Sequence, residues 1–175
     1  MREQEPLEAS DAIAPLFDYE TAEDGHLLAT AAAVKLQTGE EAEGVELFER
    51  SVGVQPDNLD RRLDLAAIYV AIGNTDQAKA ILDDLAGSGA ERQRIDLLKV
   101  LALRAKGDAA GAIREAEALL QNAPENSAVH VVVAELSAAG GDTAAARKHL
   151  KKALEIDGNS LAALLGLARI ESNDG

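Results

Sequence analysis

A recurrence of 34 residues runs through this chain and restricts its fold more than any other feature. Gly39, Gly73, Gly107 and Gly141 mark it, and Gly175 falls on the same interval. Each of the first four is followed at once by a polar residue: Glu40, Asn74, Asp108 and Asp142. Five positions after each comes a small residue: Gly44, Ala78, Ala112 and Ala146. Seventeen positions after the glycines stand Pro56, Ala90, Pro124 and Gly158, which end helices or are small. A fixed period in several independent columns marks stacked units, none of which can bury its apolar faces alone.

Each period reads as two amphipathic helices. In the second unit, Arg61–Ile72 carries Leu63, Leu65, Ala66, Ile68, Tyr69, Val70 and Ile72 on more than one face. Gly73 ends it, because glycine adopts the left-handed conformation without steric cost. Thr75 or Asp76 is then expected to cap a helix over Asp76–Ala86, with Ala78, Ile81, Leu82 and Leu85 at helical spacing. The leading helices of units one, three and four are expected at Leu27–Gln37, Ile95–Ala105 and Val129–Ala138. Their second helices close before Pro56, Pro124 and Asp157. Leu161–Ile170 repeats a leading helix. Helices apolar on both sides require neighbours on both sides. The expected repeats are 25–58, 59–92, 93–126 and 127–160, with a partial fifth over 161–175.

Composition agrees with close helix packing. Apolar residues make up 47% of 175, but aromatics only 2%, so small side chains carry the core. The chain contains no cysteine, which removes disulfides, thiolate metal sites and cysteine nucleophiles. No run approaches the length of a membrane span, no signal-peptide pattern opens the sequence, and a cytoplasmic location is expected. The net charge of −14 disfavours nucleic acid and anionic membranes as partners. Residues 1–60 carry −12 of it and residues 61–175 only −2. Residues 1–24 lie outside the repeat and form an acidic segment broken by Pro6 and Pro15. Its cluster Ile13, Leu16, Phe17 and Tyr19 either caps the first unit or docks into a groove on this or another copy.

These columns resemble the tetratricopeptide repeats, from Gly25 to the end of the chain. The small residue in the second helix is matched by Ala78, Ala112 and Ala146, and the bulky one four positions on by Phe48, Leu82 and Leu150. Pro56 and Pro124 match the terminal proline, Tyr69 the tyrosine late in the first helix, and the four glycines the turn. The resemblance implies an all-α, right-handed superhelical solenoid of antiparallel helix pairs. Two departures carry expectations. Asp96 and Lys99 stand where the family buries residues, so the leading helix of unit three is expected to rotate, burying Leu97, Val100 and Leu101 instead. Lys35 and Ser51 occupy apolar columns, so unit one is expected to pack more loosely.

No catalytic constellation accompanies the repeat, so the chain is read as a non-enzyme without cofactor or metal. His26, His130 and His149 show no metal-ligand spacing, and His130, inside a valine run, reads as a packed core histidine. Gly87-Ser88-Gly89 lacks the lysine of a phosphate loop. The resemblance implies a concave groove lined by the leading helices and open to a protein or peptide. Carried over residue by residue, the groove comprises Leu63, Ala67, Val70, Arg94, Leu97, Leu101, Arg104, Val131, Glu135, Leu165 and Arg169. The family's carboxylate clamp is not met, because Ala29 and Ala33 stand at its first lysine and asparagine. The expected function is therefore a scaffold or adaptor that holds a helical or apolar segment of a partner. The alternatives are a self-assembling scaffold, joined through its uncapped end or residues 13–19, and a repeat module of a larger bacterial export, pilus or assembly machine. The basic cluster Arg147, Lys148, Lys151 and Lys152 faces either solvent or the acidic end of another copy.

Overall fold

The computed structural model describes residues 23–86, 92–122 and 124–174, and among them every regular element is a helix. The helices are α1 (Gly25–Thr38), α2 (Glu41–Val54), α3 (Leu59–Ala71), α4 (Thr75–Leu85), α5 (Arg92–Ala105), α6 (Ala109–Asn122), α7 (Ser127–Ala139), α8 (Thr143–Ile156) and α9 (Leu161–Asp174). They divide between two compact units, α1 to α3 and α4 to α9. The expected apolar cluster at residues 13–19 and the Gly87–Ala90 connection lie outside the described residues.

Turn chemistry places the helices. Gly39, Gly73, Gly107 and Gly141 all take the left-handed conformation, at φ of 85°, 82°, 85° and 86°. After three of them the backbone closes the same Schellman loop. The N–H groups of Glu40, Asp108 and Asp142 donate to the carbonyls of Lys35, Leu103 and Ser137, each at 2.9 Å. Asp108 and Asp142 then cap the next helix, accepting from the Gly111 and Ala145 amides at 2.8 Å. The cap of α4 is Asn74 rather than Thr75 or Asp76, and its side chain makes no capping bond. A second column of caps opens the leading helices: Asp24, Asn58, Asn126 and Ser160 share the 34-residue interval. Their side chains accept from the amides of His26, Arg61, Val129 and Ala163. Asp24 is held below its usual carboxylate range, chiefly by the His26 and Leu27 amides it accepts from. These caps start the leading helices of units two and four two residues earlier than their apolar pattern suggests.

In the first unit, α2 packs on both α1 and α3. Its interior contains Leu28, Ala31, Ala32, Leu47, Phe48, Leu63, Leu65, Ala66 and Tyr69. The expected looseness is not found at Ser51 or Lys35. Ser51 is fully buried, and its hydroxyl donates to the Phe48 carbonyl at 2.7 Å. Lys35 reaches Glu40 at 2.6 Å and Glu43 at 3.1 Å, with 17% of its side chain exposed.

In the second unit each helix packs on the next, and α7 also contacts α9. One cluster joins α5, α6 and α7 through Val100, Ala112, Ala116, Leu119, Val129, Val132, Val133 and Leu136. The other joins α7, α8 and α9 through Val131, Ala134, Ala146, Leu150, Ala153, Ala163 and Ile170. Because α7 belongs to both, its residues 129–134 are all buried. The expected rotation of α5 is absent. Val100 is fully buried, as are Ala32, Ala66 and Ala134 at the same column, while Leu97 and Leu101 stay half-buried at the cluster's edge. Lys99 keeps its place by reaching Asp83 at 3.4 Å, and Asp96 pairs with Arg92 at 3.5 Å.

Candidate partner-binding surface

The second unit carries an extended recess on the face formed by α5, α7 and α9. Its larger part is a cavity of about 760 Å³. Asn122, Pro124, Glu125 and Asn126 form one wall, Val131 and Val132 lie at the apolar floor, and Ile156, Asp157, Ser160 and Ala162 close the other side. A second cavity of about 350 Å³ continues along α7 and α9, lined by Ala134, Glu135, Ala138, Leu165, Arg169 and Ile170. Ala162 borders both. Along α7 the lining residues Ala128, Val131, Glu135 and Ala138 follow helical spacing, so the two cavities share one stripe.

Three residues expected in the groove, Glu135, Leu165 and Arg169, converge on the smaller cavity. Val131, although buried, borders the larger. Arg104 ion-pairs with Glu135 across α5 and α7, so the groove's charges are partly satisfied within the chain. Leu97 and Leu101 are half-buried against the α5–α7 core, and Arg94 is half-buried on α5. In the first unit, Ala67 and Val70 are half-buried, but Leu63 is 1% exposed and belongs to the interior. Leu63 is therefore corrected from groove to core: it lies on the side of α3 that packs within the unit.

The surroundings of the recess are polar. A third cavity of about 250 Å³ is edged by Lys79, Lys99, Lys106, Asp76, Asp83 and Glu115. Its charges pair among themselves, Lys106 with Asp76 at 2.9 Å and Lys99 with Asp83 at 3.4 Å. Asp76 is held low chiefly by its hydrogen bond from Lys106, and Asp83 chiefly by that from Lys79. Within the basic cluster of α8, Lys152 is paired to Glu125 at 3.4 Å and Glu155 at 3.5 Å. Among the described residues no group of three or more His, Cys, Asp or Glu could hold a metal, and no helix is long and apolar enough to cross a membrane. One contact has no signal in the residue pattern: His130 of α7 meets His149 of α8, Nδ1 to Nδ1, at 3.0 Å. Nineteen positions separate them, and only the pairing of the two helices brings them together.

Helix pairs with small-residue columns and left-handed glycine turns define a class, the protein-interaction scaffolds built from tetratricopeptide repeats. Residues 24–101 match the family model for the tetratricopeptide repeat, and the fold is all-α and tetratricopeptide-like. Among solved structures it is similar to MamA MSR-1, at 26% identity over 89% of each chain and a TM-score of 0.61. It is also similar to MamA AMB-1, at 26% identity over 89% of this chain and 92% of that one, with a TM-score of 0.63. A tetratricopeptide repeat protein from Parabacteroides merdae superposes on 99% of this chain and 67% of its own, with a TM-score of 0.82 at 15% identity. That third likeness concerns the fold alone. Among curated protein sequences nothing matches the chain.

Proposed function

We propose that this chain is a non-catalytic adaptor that holds a helical or extended protein segment along the α5, α7 and α9 face of its second unit. One observation supports the reading above others: two adjoining cavities share Ala162 and a stripe of α7, with an apolar floor and polar edges. That pattern suits an amphipathic segment, whose apolar side fills the floor while its polar side meets Asn122, Asn126, Ser160, Glu135 and Arg169. Asp157 at the rim favours a segment with positive charge there.

The test is Ala162→Arg. Ala162 is exposed, so the arginine obstructs both cavities without entering the core. Partners cross-linked to the purified wild-type chain are expected to be lost from the variant at unchanged circular dichroism and thermal midpoint. Full retention of those partners rejects this face.

A second reading, self-association, is favoured by the terminal helix. Leu161, Leu164 and Leu165 of α9 are 66%, 48% and 61% exposed and form an apolar surface that a second copy could cover.

A further inference from the structure

His130 lies in the most thoroughly buried helix of the second unit and is itself only 7% exposed. Both ring nitrogens are engaged. Nε2 is 3.0 Å from the Pro124 carbonyl, and Nδ1 is 3.0 Å from Nδ1 of His149. The rings lie 5.2 Å apart between centroids, tilted by 35°.

These contacts fix where the protons are. A carbonyl only accepts, so Nε2 of His130 carries a hydrogen, and in the neutral ring Nδ1 is then the acceptor. His149 must donate from Nδ1, which leaves its own Nε2 open. A first added proton, whichever ring takes it, leaves one Nδ1 free to accept from the other, so the ring-to-ring bond stays intact. A second puts a hydrogen on both Nδ1 atoms and sets two N–H groups against each other. Two cations at this distance within packed side chains repel as well. The bond therefore survives one charge and not two.

The surroundings act on the same step. Burial most strongly holds His149 below the usual histidine range; the charge of His130 and then Lys148 act in the same direction, and Glu117 of α6 opposes them. On the third side, α9 meets the seam with Ala163, Leu167 and Ile170, which are apolar. Glu125, in the turn after α6, is occupied by Lys152.

We propose that the His130–His149 pair is a proton-operated latch between α7 and α8, closed while at most one ring is charged and opened when both are. Both helices it joins line the larger cavity: Ser127, Ala128, Val131 and Val132 from α7, and Ile156 at the end of α8. Opening the latch loosens the cavity at its base. The latch requires no partner, and only its effect on partner capture rests on the binding surface proposed above.

The experiment uses the full chain with nitrogen-15-labelled histidine, titrated from about pH 7.5 to about pH 4.5, with amide hydrogen exchange measured at each end. At the upper limit His130 is expected as the Nε2–H tautomer and His149 as the Nδ1–H tautomer, and the pair titrates in two coupled steps. After correction for intrinsic rates, amides of α7 and α8 are expected to exchange at least ~10-fold faster at the acid end, with α4 to α6 changing less. His149→Gln keeps a donor that does not titrate, so its α7 and α8 amides should be insensitive to pH. His149→Leu removes the bond and should exchange quickly at both ends. Independent, uncoupled titration of the two rings, or an unaltered pH response in His149→Gln, overturns the latch. Failure of the binding surface is read separately, in capture by Ala162→Arg at constant pH.

Discussion

Tyr69 shows how one side chain can connect two helices of the first unit. Its ring is buried beneath α3, and its hydroxyl donates to the Glu49 carboxylate of α2. Burial first, then that hydrogen bond and the nearby negative charge, push its phenol from 10.0 up to about 12. A group whose folded value is raised binds its proton more tightly in the native state. Its contribution is therefore complete below pH 10 and lost as the pH rises through about 12. With Tyr19→Phe removing the other tyrosine, the phenolate absorbance of the native chain should show its midpoint near 12, and unfolded chain near 10.0. Tyr69→Phe should cost about 1 kcal/mol in denaturant unfolding, since the Glu49 end of the bond is exposed to water. His130 illustrates the opposite limit of sequence reading. Its burial follows from the valines around it, but its partner does not, because a residue 19 positions away becomes a neighbour only through the facing of two helices.

At the level of helices and turns, backbone conformation decides more than propensity. Gly107 stands at φ 85° with no atom within 4 Å of where a side chain would begin. Gly107→Ala should therefore cost about 1–2 kcal/mol through the backbone alone. Gly53, inside α2 and equally free of neighbours, is the control: Gly53→Ala should leave stability unchanged or raise it by up to about 1 kcal/mol. Unfolding midpoints of the two variants check both signs. The turn glycines and the column Ala78, Ala112, Ala146 were legible beforehand, because each records a local steric demand that repeats. The caps Asp24, Asn58, Asn126 and Ser160 carried the same interval, yet three different residue types spelled them, which hid the column. The rotation expected for α5 failed for a definable reason: Lys99 and Asp96 satisfy their charges at the edge, so Val100 can keep its column. Leu63 was misassigned because a helix apolar on two sides does not reveal which side its neighbours take.

For the molecule as a whole, the uneven charge and the exposed leucines of α9 bear on association. If α9 meets a second copy, light scattering should show a larger species than the monomer at working concentration. Leu164→Glu should return it to monomer, since a carboxylate there would be stranded in an apolar contact. A monomer at every concentration in the unaltered chain removes that reading. Added salt distinguishes the contact further: association through α9 strengthens or holds, whereas pairing of the basic α8 cluster with the acidic first third weakens. What the whole molecule binds was legible only as a class, because a recess records the size and polarity of its occupant and not its identity.

The left-handed glycines have one more consequence. No atom lies within 4 Å of where a side chain would begin at Gly39, Gly107 and Gly141, so backbone handedness and not crowding bars other residues there. Asparagine or aspartate, which tolerate the left-handed region, can stand in at those points, whereas a β-branched residue cannot.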